Sequence, residues 1–480
     1  MLEIILLLIF IPLTFLTSAK KALIIIAIFY IAFNITTLAT TFKKLKRLFA
    51  GMVIPHYLWI PLFTSMLLWS QASLNTFTNP FAITNIAKVV QVAIPGLIGL
   101  FLFMLRMDAV GHFLNRIIGP MVLYAIVTAV STLYASHSMY ALWKSMSLFV
   151  DIFVLAVFLT YKPFWLNTKK LFDLTLTLFA MLLGMAWLGG IFAPSSAFIK
   201  TRGLIHYSLM GIMPIINPDG IGYIGALVSI VSFLRMLDNH SSRDRIFYRI
   251  IFILGIASLI FSQARTSLVA FSITLIISLL IKKKVGWIIT IGLIAILFML
   301  NLSASHYLQQ YFIRGQSKEL LMSLSGRTHL WAYAWKRFKS SPIIGYGYGS
   351  GVRFDILHGS STVSLHGAIF DVLIGVGLLG FVPWVTALAC TWQSLISGYI
   401  RFRRKMNKVE RNFHIEVMAV MFISSIRATT SSVMVVHDQS MLLLFCIMAY
   451  ASQLNGLKYE FSKLGKTSKQ KVLKEIGHTH

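Results

Sequence analysis

The sequence predicts an all-α fold, a polytopic transmembrane helical bundle of about 14 spans with one large external loop carrying an amphipathic interfacial helix. Three observations predict it. Hydrophobic residues make up 57% of the 480 and charged residues only 12%, where soluble domains run nearer ~25% charged. Mean hydropathy is +0.78, and apolar runs of spanning length recur along the whole chain. The 43 Lys and Arg, against 15 Asp and Glu, give a formal charge of +28 and gather in short loops between the apolar blocks, where they orient a membrane protein rather than meet nucleic acid. This composition excludes a disordered chain, a disulfide scaffold, a soluble dinucleotide-binding enzyme and an outer-membrane barrel. The two cysteines, Cys390 and Cys446, both lie inside apolar runs, which argues against a structural disulfide.

The predicted spans are, in order, 2–18, 22–41, 48–70, 83–105, 117–136, 143–161, 171–193, 220–238, 249–264, 266–281, 285–302, 367–396, 412–430 and 433–454. The first carries Glu3 and neither a basic flank nor a small-residue cleavage site, so it reads as a retained helix. One set of alternate loops holds most of the basic residues, including Lys43–Arg47, Lys282–Lys284, the cluster at 401–411 and the tail after Leu457. That set is assigned to the cytoplasm with both termini; Lys20 and Lys21 oppose the assignment. The segment 303–366, the loop 194–219 and the junction at Arg265 then fall outside. The Lys-rich tail reads as a cytoplasmic extension suited to anionic lipid.

Candidate chemistry lies where topology does not account for the charge. Segment 303–366 carries Arg314, Lys318, Arg327, Lys336, Arg337, Lys339 and Arg353 against Glu319 and Asp355, an external excess that favours an anionic ligand. Within it SGRTHLWAYAWKRFKSSP predicts a short amphipathic helix, N-capped by Ser325 and stopped by Pro342, with Trp331, Ala334, Trp335 and Phe338 as its apolar stripe. Arg327, four residues before Trp331, either points inward beside free backbone N–H groups or snorkels to headgroups. Arg265 in SQARTSL sits between two apolar runs, where a cation is costly unless paired or facing a polar cavity. Arg202 in KTRGLIHYS and Arg337 are further candidates for substrate contact. His366 opens the twelfth span and has the right chemistry for a general base. Asp371 lies five residues on, about 140° around a helix, and is expected to pair with an arginine of a neighbouring helix or to meet substrate. GYGYGSG (345–351) lacks the lysine of a phosphate loop and reads as a tight turn against the membrane body. NPDG (217–220) is a turn leading into the eighth span. No ligand spacing supports a metal site.

These segments resemble a known family. SQARTSL is similar to the serine–arginine–threonine motif of the O-antigen ligase and polysaccharide polymerase superfamily. GRTHLWAYAW followed by SPIIGYGYGSG resembles its glycine–arginine–x–x–x–tryptophan helix and glycine-rich turn, and LHGAIFDVLIGVGLLGF its histidine segment. The resemblance covers roughly 200–385. It implies a metal-independent glycosyltransferase, without cofactor, acting on undecaprenyl-diphosphate-linked glycans at the outer face of the bacterial inner membrane. It further implies that Arg265 and Arg327 bind the pyrophosphate and that His366 activates the acceptor hydroxyl. Three positions depart from the family pattern: Gly367 and Asp219 each stand for an asparagine, and Gly375 for a glutamate.

On this reading residues 1–454 form the transmembrane transferase, with its catalytic loop at 303–366, and 455–480 the cytoplasmic tail. The expected activity is a polymerase joining lipid-linked repeat units, with membrane lipids and a chain-length regulator as further partners. The alternatives are an O-antigen ligase, whose acceptor is lipid A–core, and, from another class, a lipid or polysaccharide transporter. Asp151, deep in the sixth span, is the residue that favours transport.

Overall fold

The computed structural model describes residues 43–65, 83–201, 205–238, 241–300, 309–313, 316–317, 323, 326–357, 364–404 and 406–463. The first two predicted spans, Arg202, Arg314, Lys318, Ser325 and the end of the Lys-rich tail lie outside the described residues. The chain is a helical membrane protein, and its one described sheet is a two-stranded antiparallel hairpin.

The helices in order are α1 (Ile54–Thr64), α2 (Ile83–Leu105), α3 (Asp108–Phe113), α4 (Gly119–Val130), α5 (Ser138–Phe158), α6 (Phe164–Phe192) and α7 (Pro194–Ala197). The hairpin of β1 (Phe198–Lys200) and β2 (Tyr207–Leu209) follows. Then come α8 (Pro218–Asp238), α9 (Ser242–Phe261), α10 (Arg265–Ile281), α11 (Val285–Leu300), α12 (Arg327–Ser340), α13 (Ala368–Phe402), α14 (Lys408–Ala428) and α15 (Gln439–Lys463). Among the described residues, five helices, α2, α5, α6, α8 and α13, are long and apolar enough to cross a membrane. Shorter apolar helices occupy the predicted spans around α4, α10 and α15.

Small residues set the crossing that builds the site. A Cβ on Gly225 of α8 would come within 2.8 Å of Gly255 O on α9, and one on Gly222 within 2.3 Å of Ala264 Cβ. The two backbones can approach this closely because those side chains are missing. The start of α8 is thereby held against the Ser262–Ala264 junction that leads into α10. Gln263 adopts φ 54° there, and its side-chain amide ties the junction to the carbonyls of Ile205 and Tyr207.

A second device organises α13. Its helix is broken at Gly377, where φ is 59°, although the sequence reads as one continuous span. The chain after α12 crosses here: Leu378 N donates to Pro342 O and Leu379 N to Ile343 O, while Tyr346 N and Gly347 N donate to Ile374 O and Gly375 O. A Cβ on Gly377 would lie 2.2 Å from Ile343 O, so only glycine permits the crossing. GYGYGSG is the tight turn the sequence predicts, with positive φ at Gly345, Gly347 and Gly349. A π-helical turn, Gly351–Ile356, follows it.

Both cysteines are free. The amphipathic helix α12 forms as predicted but starts one residue later than the Ser325 cap implies. Gly326 is its N-cap at φ 85°, and Ser323 Oγ accepts from Gly326 N. Ala334 and Phe338 are buried with Leu365, Leu373 and Ile374, and Leu330 packs against the same group. The packed face thus follows the i, i+4, i+8 line from Leu330. Trp335 falls off that line, is 46% exposed and stacks flat on Phe338.

Candidate functional site

The site begins at the first turn of α8. Asn217 Oδ1 accepts from Asp219 N, the carbonyl of Asn217 accepts from Gly220 N and Ile221 N, and Pro218 occupies the first helical position, where its missing N–H costs nothing. Capping in this way fixes Asp219 at the mouth of the bundle. Arg327 Nη2 lies 3.5 Å from Asp219 Oδ2 and Arg427 Nη2 lies 3.3 Å from the same oxygen. Both contacts are long for charge-assisted hydrogen bonds. Arg327 also donates to Thr430 O at 2.8 Å.

Arg327 is the first residue of α12, so its side chain leaves the helix where backbone N–H groups are free of intrahelical partners. It points inward, as the first of its two predicted orientations requires. Arg265, the first residue of α10, lies within electrostatic reach of Arg327 and Asp219. Its guanidinium donates to Phe312 O at 2.7 Å and to Gln316 Oε1 at 2.9 Å.

His366 completes the group, within electrostatic reach of Arg327, Asp219 and Arg427. Its φ is 55°, a strained conformation for a residue with a side chain. The preceding residue is clamped on both sides: Trp331 Nε1 donates to Leu365 O at 2.8 Å and Leu365 N donates to Asp371 Oδ1 at 2.9 Å. Trp331 also stacks on Phe370 at 5.5 Å. Gly367 lies beneath this indole, where a Cβ would sit 3.3 Å from Trp331 Nε1. Burial lowers the His366 pKa below its ordinary 6.5, the Arg327 and Arg427 charges push the same way, and Asp219 opposes them. The imidazole is therefore neutral near pH 7 and able to accept a proton.

Arg265, Arg327 and His366 are thus brought together, and Asp371 joins them through the backbone of Leu365. Its expected arginine partner is replaced by that N–H, because α13 starts close beneath the turn. Arg337 is elsewhere, near the far end of α12, with its guanidinium 5.0 Å from the centroid of Tyr346 and its carbonyl accepting from the Tyr346 hydroxyl. Arg427 is the residue sequence reasoning missed. It is 1% exposed and sits at the end of an apolar helix, and that combination is the signal that marks a buried charge as worth explaining.

Among the described residues, the guanidinium groups of Arg327 and Arg427 share the Asp219 carboxylate, with Arg265 and a neutral imidazole within electrostatic reach. Such a cluster can hold a doubly charged phosphate group beside a proton acceptor. Residues 250–385 match the family model described as O-antigen ligase. Over that segment the chain is similar to the O-antigen ligase and polymerase superfamily of membrane enzymes. The matched residues contain Arg265, Arg327 and His366; Asp219 and Arg427 come from helices outside them. No curated protein matches the chain.

Proposed function

We propose that this membrane enzyme is a polysaccharide polymerase of the superfamily, transferring a growing glycan from its undecaprenyl diphosphate onto a sugar hydroxyl of the next lipid-linked repeat unit at the outer face of the inner membrane. The observation that supports this is the convergence of Arg265, Arg327 and Arg427 on the mouth of α8 beside a neutral His366. A sugar diphosphate diester carries two negative charges, which guanidinium groups bind well. The anomeric carbon–oxygen bond to phosphate breaks as a new bond forms to the acceptor oxygen. His366 takes the hydroxyl proton, and the released diphosphate keeps the electron pair of the broken bond. Guanidinium groups fixed before the reaction stabilise the charge that develops on the departing phosphate. Asp371 and Trp331 act through Leu365, holding the imidazole in its strained pose, and are positioning residues.

A ligase is the second reading, favoured by the description of the matching family; its acceptor would be lipid A–core. Asp151, the residue that favours transport, is fully buried and lies 2.7 Å from His437 Nδ1. The glycan made by a deletion strain tests the assignment. Single repeat units on lipid A–core are expected for a lost polymerase. Long chains left on the lipid diphosphate would make the protein a ligase, and an unchanged glycan would overturn both.

A further inference from the structure

The loop 429–438, which joins α14 to α15, turns into the bundle instead of crossing its surface: Val433, Met434, Val435 and His437 are all buried. Non-helical backbone inside a helical membrane body needs its polar groups satisfied by neighbouring elements. Val435 O accepts from the Tyr124 hydroxyl of α4 at 3.1 Å and from the Tyr348 hydroxyl of the glycine-rich turn at 2.9 Å. Met434 O accepts from Trp384 Nε1 of α13 at 2.7 Å, and Met434 N donates to Ser440 Oγ at 2.7 Å. Met434 itself holds φ 62°, a conformation that persists in a residue with a side chain where its surroundings impose it.

The two ends of the loop meet different groups. At the far end His437 Nδ1 lies 2.7 Å from Asp151 Oδ2 of α5, and His437 Nε2 lies 3.0 Å from Ser65 Oγ, one residue past α1. All three side chains belong to residues 0% exposed. At the near end Thr430 N donates to Arg427 O at 3.1 Å, and Thr430 O accepts from Arg327 Nη1 at 2.8 Å. A polar pair buried among apolar helices is a weak source of stability, because desolvation offsets its attraction; what it can do is fix one arrangement over others. The arrangement fixed here is the path of the loop. That path decides where Thr430 O stands, and so where the Arg327 guanidinium is held.

We propose that His437, set between Asp151 and Ser65, is a positioning residue for the anion site: through the loop 429–438 it places the Thr430 carbonyl that aims Arg327 into the cluster with Asp219 and Arg427. This role rests on the reading of that cluster as a diphosphate site; it does not depend on which acceptor the glycan meets.

Calorimetric titration of the purified full chain with inorganic pyrophosphate in neutral detergent, at a temperature where every variant is folded, tests this. His437→Gln, which cannot span both partners, is expected to weaken binding about ten-fold, the size of loss when a hydrogen bond to a charged group is misplaced. Asp151→Asn keeps a partner for Nδ1 whichever atom carries the proton, and is expected to bind within about two-fold of wild type. Tyr348→Phe removes one of the two hydroxyls on Val435 O with little risk to the fold, and should cost about three-fold. The deciding measurement is coupling: in an Arg327→Ala background, His437→Gln should cost nothing further, because the residue it places is gone. Unchanged binding in His437→Gln overturns the proposal. So does the same fractional loss with and without Arg327, which would mean that His437 supports the fold as a whole. If Arg327→Ala alone binds pyrophosphate like wild type, the proposed function falls and the role of His437 with it.

Discussion

Helix α8 carries a charged group at each end, and the two are built on opposite principles. At its last turn Arg235 meets Asp173 at 2.5 Å and Glu416 at 2.7 Å, and Lys169 pairs with Asp173 at 3.0 Å. Two cations face two carboxylates at full hydrogen-bonding distance. At its first turn one carboxylate, Asp219, is shared by Arg327 and Arg427 at 3.5 and 3.3 Å, with Arg265 close by. The matched end needs nothing further and braces α6, α8 and α14. At the mismatched end three cations gather about one carboxylate among the described residues, an arrangement that suits an anion site. Burial alone does not separate the two ends; the ratio of cations to carboxylates does.

The largest effect is expected at the matched end. Arg235→Ala leaves Glu416 buried without its cation and Asp173 with Lys169 alone, a loss of about 3–5 kcal/mol. Protein level and detergent melting temperature should both fall; a variant that melts like wild type would show the network to be ornamental. For His366 and Arg327 at the mismatched end the effects should be on rate at unchanged stability. His366→Asn removes the base and should slow transfer on the order of 1000-fold. Wild-type kcat/KM should decline as pH falls, with a midpoint below 6.5, because burial and the neighbouring arginines lower the imidazole pKa and protonation blocks the base. The residual rate of His366→Asn should lack that acid limb. Arg327→Ala should cost on the order of 100-fold, and Arg327→Lys less, since it keeps charge but loses the two-pronged fit to phosphate. A melting temperature lowered by Arg327→Ala as much as by Arg235→Ala would erase the distinction between the two ends.

Parts of this were legible in the sequence for physical reasons. Arg265 and Arg327 stand out because a cation at the edge of an apolar run opposes the partition of charge into loops. GYGYGSG announces a turn because its backbone needs φ values that side chains resist. The break at Gly377 was hidden, since VGLLGF has the composition of a continuous span and only the crossing of Pro342–Ile344 reveals why the glycine is needed. Trp335 belongs to the apolar stripe of α12 but not to its packed line, because two adjacent lines of apolar residues run along the helix and its partner selects the one from Leu330. Arg427 and Asp219 stayed apart in sequence reasoning because they are 208 residues distant. Their meeting depends on how α8 and α14 pack, which no local pattern encodes.

The smallest prediction tests that meeting directly. Asp219→Asn removes the one carboxylate that competes with an incoming anion for Arg327 and Arg427. Pyrophosphate binding should tighten about five-fold, the ~1 kcal/mol expected when one partly screened charge is removed a few ångströms away. The unliganded protein should melt earlier, because Arg427, 1% exposed, loses its charged partner, and saturating pyrophosphate should raise the melting temperature more than it does in wild type. Opposite signs for binding and for unliganded stability are what an anion site held open by its own counter-ion requires. If Asp219→Asn weakened binding instead, the carboxylate would be placing the arginines rather than competing for them, and the arginines at this end of α8 would need it to draw the substrate in.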